Sequence, residues 1–180
     1  MLSTSSAPAQ DSTKGRNMQD IDIENDIRTA TQADYQEVFR LTCLLHAENG
    51  QHKFSEEKVK RLVWDGCNGN GALIGVIGPS DNIKAMIYLQ IQPIYYSDDF
   101  QLGEVFNFVR KDCRKSDYAK RMIGFAKKCA EETGLTVSIG IISDIRLEPK
   151  RRLYERQLPL AGYWFIIRPK AGAHTTEEAA

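Results

Sequence analysis

The sequence predicts an α+β fold: a mixed, mostly antiparallel sheet with helices on both faces. Three observations carry that expectation. Two apolar runs, Ala72 to Ile77 and Ile83 to Gln92, flank the tight-turn string Pro79-Ser80-Asp81-Asn82 and read as an antiparallel hairpin. A double apolar stripe, with Tyr118, Met122, Phe125 and Cys129 beside Ala119, Ile123, Ala126 and Ala130, makes a helix face wide enough to lie flat on a sheet. That helix joins the strands Leu102 to Val109 and Leu135 to Ile141, which as neighbours flanking a helical crossover should be parallel.

The elements follow in order. Ile27 to Ala30 reads as a short first strand, and Thr31 or Asp34 can cap the next helix, on which Tyr35, Val38, Thr42 and Leu45 fall at helical spacing. Asn49-Gly50 ends it. Ser55 supplies an N-cap hydroxyl, and Glu56 and Glu57 a first acidic turn, for a second helix reaching Trp64. Asp65 to Gly71 reads as a Gly/Asn turn into the hairpin. After it come the strand 102–109, a helix from Ser116 to Thr133 stopped by Gly134, and the strand 135–141. A short helix over Pro149 to Leu158 and a last strand over Gly162 to Ile167 complete the order β, α, α, β, β, β, α, β, α, β.

At 180 residues and 42% hydrophobic content, the chain suits one sizeable core. The domain expected is 25–169, between a Ser-, Ala- and Asp-rich arm over 1–24 and a tail over 170–180. Equal numbers of acidic and basic residues, 24 each, argue against a surface made for nucleic acid or anionic membrane. No apolar run reaches the roughly 18 residues of a membrane span. Cys43, Cys67, Cys113 and Cys129 form no C-x-x-C pair and read as reduced thiols of a cytoplasmic protein. His52 and His174 lack ligand partners at usable spacing, so no metal is expected.

The neutral chain carries one charged concentration. Between Arg110 and Lys128 eight cations face only Asp112 and Asp117, where an apolar strand passes through a basic turn into a helix start. Such a turn suits a small anion, because the first amides of a helix are unpaired and sit at its positive end. A solvated helix face is the competing reading of the same charges.

Here the sequence resembles the GNAT superfamily of N-acetyltransferases, whose coenzyme motif reads Val-x-Pro-x-x-Arg-x-x-Gly-x-Gly/Ala. Val109, Arg114 and Ala119 stand at the Val, Arg and Gly/Ala positions, whereas Asp112 and Asp117 match neither a Gly nor a Pro. The order of elements from Ile27 to about Pro169 is also similar, and the strings Leu45 to Gly50, Arg114 to Lys120 and Arg152 to Leu158 resemble a short subgroup found in bacteriophage genomes.

The resemblance implies an N-acetyltransferase that moves an acetyl group from acetyl-CoA to a primary amine by direct attack. The co-substrate would lie along Phe108, Val109 and Arg110 and on the turn of Arg114, Lys115, Ser116, Asp117, Tyr118, Ala119 and Lys120. Tyr154 would be the acid that protonates the leaving thiolate, and Glu104 the base. A backbone N–H near Val109 would polarise the carbonyl.

Asp117 is expected as a helix cap that Ser116 shares. Ser143 and Asp144 fall where the family places an Asn near the coenzyme; His46 and Glu48 fall where it shapes the acceptor pocket. Tyr95, Tyr96, Asp98 and Asp99 read either as an aromatic, acidic pocket for a cationic amine or as ordinary loop polarity. The acceptor is a small-molecule or protein amine, and a homodimer is compatible with the family. A catalytically inactive protein of the same fold, serving as an interaction or structural module, stays open because of Asp117 and Asp144.

Overall fold

The computed structural model describes residues 26–50, 52–141 and 147–162. The expected arm, the C-terminal tail, the loop pair Ser143 and Asp144, and the last expected strand beyond Gly162 lie outside these residues.

One five-stranded sheet runs β1 (Ile27–Thr29), β2 (Ala72–Ile77), β3 (Ala85–Pro93), β4 (Phe100–Val109) and β5 (Thr136–Ser138), in that spatial order. The first four strands are antiparallel, and β4 and β5 are parallel as the crossover requires. The helices are α1 (Tyr35–Asn49), α2 (Glu56–Asn68), α3 (Tyr118–Thr133) and α4 (Leu147–Glu155).

Strand alternation divides the core in two. Ile74, Val76, Met86, Tyr88 and Phe108 point to the face covered by α1 and α2, where they meet Val38, Leu41 and Val63. Ile77, Ala85, Ile87, Leu89 and Leu102 point to the opposite face and meet Tyr118, Met122, Phe125 and Cys129 of α3. Both faces are buried, so the central strands are apolar on both sides. The Tyr88 hydroxyl donates to the Leu62 carbonyl at 2.9 Å, tying α2 to the sheet. Across the sheet Gly75 admits the Phe125 ring, which a Cβ there would meet at 2.7 Å. Gly134, at φ 70°, ends α3 in the left-handed conformation.

Several boundaries differ from expectation. The second helix continues past Trp64 to Asn68, so most of the expected turn is helical. The fifth strand is three residues long rather than seven. Ser55 occupies its cap position, but its hydroxyl makes no capping bond. Asp34 precedes α1 but does not cap it with its side chain; its carboxylate is held by Arg28 and turns back to the Thr31 amide, closing a capping box with Thr31 on the short 3-10 turn before α1.

One irregularity positions the site. Tyr88 pairs with Phe106 but Leu89 with Glu104, so Val105 is an extra residue, a bulge in β4. Strict alternation would put Glu104 on the same face as Phe106 and Phe108. The bulge turns it instead to the α3 side, the face of its partner Leu89, of Ile87 and of Asn107, which pairs with Ile87.

Candidate functional site

Pairing of β4 with β5 covers only Gln101 to Gly103. Beyond that point no strand among the described residues covers the edge of β4. The Arg110 N–H bonds the Lys84 carbonyl on the β3 side, so alternation turns the amide groups of Val109 and Asn107 toward the open edge. Beside this edge lies a cleft of about 370 Å³. Its walls are the last residues of β4, the start of α3, the end of α1 and the inner face of α4.

α4 reaches the cleft with one face because Pro149, Lys150, Leu153 and Tyr154 recur at helical spacing. Its outer face is closed by Arg151, which pairs with Glu148 at 3.0 Å and Glu155 at 2.8 Å. The Tyr154 hydroxyl accepts a hydrogen bond from Asn107 Nδ2 at 3.3 Å. Burial first, and then the nearby charge of Glu104, push the Tyr154 phenol well above its usual range, against a smaller opposing effect of the Asn107 bond.

Glu104 stands behind this pair. Its Oε2 is buried and has no hydrogen-bond partner among the described residues. Burial pushes its carboxyl up to about 7, even though the Lys150 charge and a hydrogen bond from the Gly140 amide act in the other direction. Burial also lowers the Lys150 ammonium; Arg114 adds to that effect, while Glu104 and Glu48 oppose it. An amine and a phenol on the cleft wall thus lie within reach of the charge of one buried carboxyl, and burial moves all three away from their ordinary ranges.

At the other end the cleft meets the helix start through Ser116, Asp117, Ala119 and Lys120. Asp117 holds the N-cap position, but its carboxylate makes no capping bond. Ser116 does that work: its hydroxyl donates to the Cys113 carbonyl at 2.6 Å and accepts from the Tyr118 amide at 3.3 Å. This corrects the expected division of labour, and leaves the Asp117 carboxylate exposed at the mouth.

The basic turn is largely engaged within the protein. Arg110 pairs with Asp112 at 2.8 Å and donates to Asn82 at 2.6 Å, away from the cleft. Arg114 lines the cleft, pairs with Glu48, donates from Nε to the Val109 carbonyl at 3.1 Å, and covers the Phe108 ring at 5.7 Å. Arg121 pairs with Asp26 at 3.0 Å. Lys115 is exposed and is not a wall of the cleft, and Tyr118 is packed in the α3-side core. Of the expected coenzyme contacts, Phe108, Val109, Arg114, Ser116, Asp117, Ala119 and Lys120 therefore share one cleft, and Arg110, Lys115 and Tyr118 do not.

Glu48 reaches the cleft from α1, whereas His46 turns to Phe54, with ring centroids 4.8 Å apart, and to the His52 carbonyl at 2.9 Å. Tyr95 and Tyr96 meet edge to face at the β3–β4 turn, exposed, at the far end of β4 from Val109. They form no part of this cleft.

Sequence reasoning missed Asn107 and Lys150. Asn107 had a signal, a lone amide between aromatic residues in an apolar strand. Lys150 had a weaker one, its spacing of four from Tyr154.

No protein-family model matches the chain, and no curated protein matches its sequence. Solved structures do match its fold. A ribosomal-protein-alanine N-acetyltransferase from Brucella melitensis biovar Abortus 2308 superposes with a TM-score of 0.60 at 19% identity, over 79% of this chain and 99% of that one. A predicted acetyltransferase with acetyl-CoA from Clostridium acetobutylicum gives 0.62 at 12% identity, over 79% and 95%. The structure of AAC(6')-Iy in complex with the bisubstrate analog CoA-S-monomethyl-acetylneamine gives a TM-score of 0.62 at 10% identity, over 81% and 97%. The sheet order, the parallel β4–β5 pair and these superpositions together give the chain the GNAT-like α+β fold.

Proposed function

We propose that this protein is an acetyl-CoA-dependent N-acetyltransferase whose acceptor is a primary amine, and that transfer occurs by direct attack without an acyl-enzyme. The observation that carries the reading is a cleft that runs from Lys150 and Tyr154 to the start of α3, with the buried, unpartnered Oε2 of Glu104 close enough behind it for the Glu104 charge to act on both.

The residues present fit the co-substrate. The open edge of β4 leaves the Val109 N–H and the Asn107 N–H and carbonyl for the amides of a pantetheine arm, in the manner of an added strand, while the Val109 carbonyl is held by Arg114. The start of α3 and Lys120 suit a pyrophosphate. Glu104, near 7, is ionised in a useful fraction at neutral pH and takes a proton from the acceptor ammonium. Tyr154, protonated at neutral pH and on the cleft wall, returns a proton to the departing thiolate, although burial makes its phenol a weaker acid than usual. A main-chain N–H at Val109 or Asn107 polarises the carbonyl. The same reading takes the protein as cytoplasmic, of the phage-associated subgroup, and able to act on small-molecule or protein amines, alone or as a homodimer.

A second reading, an inactive interaction module of the same fold, is favoured by the Asp117 and Glu48 carboxylates on the cleft wall. Melting with acetyl-CoA separates the two. At 100 times its Kd the coenzyme adds about 2.7 kcal/mol of apparent stability, and no shift at millimolar coenzyme removes the enzyme reading. Tyr154→Phe is expected to lower turnover far more than coenzyme affinity; unchanged turnover removes its acid role. Mass spectrometry of a panel of amines with labelled acetyl-CoA identifies the acceptor.

A further inference from the structure

We infer that Lys150 is a self-acetylation site, its Nζ being the amine that the cleft presents to acetyl-CoA when no external acceptor is bound. The inference rests on the coenzyme-binding reading above and adds a target within this chain.

Three placements carry it. Lys150 lines the cleft from inside rather than from the surface, on the turn of α4 that also carries Tyr154 four residues later. The group that would receive its proton lies within electrostatic reach: Glu104 and Lys150 each act on the other's charge without forming an ion pair, and no hydrogen bond from Lys150 occupies the buried Oε2. Lys150 is thus near the carboxylate without being locked onto it. The open Val109 and Asn107 amide groups, where a thioester carbonyl would dock, belong to the same cleft. An amine partly withdrawn from water also favours its neutral, nucleophilic form, the direction in which burial moves Lys150.

The step balances. Glu104 accepts one proton from the Lys150 ammonium, and the neutral Nζ attacks the thioester carbonyl carbon. The new N–C bond forms as the C–S bond breaks. The thiolate takes the Tyr154 proton, and Tyr154 recovers one from the nitrogen as it becomes an amide. The products are Nε-acetyl-lysine and free coenzyme A, with one proton left on Glu104 and then released to solvent. No oxidant or metal enters. Acetylation removes a cation beside Glu104, so the modified chain is expected to transfer more slowly to other amines.

The test is peptide mass spectrometry of the full chain incubated with isotope-labelled acetyl-CoA, with melting in coenzyme A run in parallel. Lys111 and Lys127, both exposed, report the uncatalysed background. General acid–base assistance predicts labelling of Lys150 faster than that background by about 100-fold, at a rate independent of protein concentration. Glu104→Gln and Tyr154→Phe should bring Lys150 down to background while Lys111 and Lys127 are unaffected. If coenzyme A raises the melting temperature but Lys150 labels no faster than Lys111 and Lys127, the self-acetylation inference is overturned and the coenzyme reading stands. Fast labelling that survives in both variants also overturns it. If coenzyme A produces no shift, the coenzyme reading fails and takes this inference with it.

Discussion

Asp34 and Glu104 are both carboxylates with buried oxygen atoms, yet the protein treats them oppositely. Asp34 receives two hydrogen bonds from Arg28, at 2.6 and 2.8 Å, and others from the Thr31 amide at 2.7 Å and hydroxyl at 3.2 Å. Burial alone would raise its carboxyl, but these bonds outweigh it and hold the group at about 2. Glu104 is also desolvated, but with one oxygen unpartnered, and stands at about 7. A satisfied carboxylate joins β1 to the turn before α1 and is inert in chemistry. An unsatisfied one costs stability and is left ready to exchange a proton.

The comparison is tested most strongly by removing each charge. Glu104→Gln should lower acetyl transfer by about 10²- to 10⁴-fold, the usual worth of a general base, while denaturant unfolding at pH 7 shows equal or greater stability. Full activity in that variant would place the base elsewhere. Asp34→Asn reverses the pattern. It leaves Arg28 without its ion pair, and removing one partner of a buried pair costs about 3 kcal/mol, while turnover per folded molecule stays unchanged. A stability loss in Glu104→Gln as large as in Asp34→Asn would show that Glu104 is structural after all.

A smaller effect of opposite sign at the two sites is expected from pH. Glu104 gives up its proton near 4.5 when unfolded and near 7 when folded. Between those values the folded chain holds the extra proton, so this group's contribution to stability falls as pH rises from about 4.5 to about 7 and then levels off. Asp34 titrates near 3.8 unfolded and near 2 folded, so its contribution is complete above about 4 and is lost as pH falls toward 2. Melting curves of the wild type against each variant should therefore diverge in different windows. Parallel curves for Glu104→Gln and the wild type from pH 4 to 8 would mean that the carboxyl is not perturbed.

The two sites also differ in how far the sequence could reveal them. Apolar periodicity outlined the sheet, its parallel crossover and the helices on both faces, because burial on two sides leaves a pattern in residue types. The β4 bulge left none. Glu104 to Val109 reads as a regular strand, and only pairing with β3 shows that Val105 is extra and that Glu104 shares a face with Asn107. Charge was visible but its partners were not. Arg110, Arg114 and Arg121 look like one basic patch until the fold brings Asp112, Glu48 and Asp26 to them. Lys150 was hidden because the inward face of α4 is fixed by packing, and a helix with five charged residues in nine offers no clear apolar side.

The smallest expected effect lies at Asp117, and it sharpens the contrast by adding a third carboxylate that is neither buried nor paired in a cap. Its side chain makes no capping bond, since Ser116 meets the Tyr118 amide, so Asp117→Asn should cost the free protein no more than the charge's interaction with the helix start, roughly 0.3 to 1 kcal/mol. The substitution removes a negative charge from the mouth of the cleft, at the helix start where a pyrophosphate would sit. An exposed charge of this kind is worth roughly 0.3 to 1 kcal/mol at low ionic strength, so coenzyme affinity should rise by a factor of about two to five and the gain should shrink with added salt. Titration calorimetry at two salt concentrations measures both. A loss of affinity instead would mean that the carboxylate itself holds the ligand. Asp117 would then be a binding group, with a role as specific as that of Glu104, rather than a departure from the glycine of the family motif that the cleft tolerates.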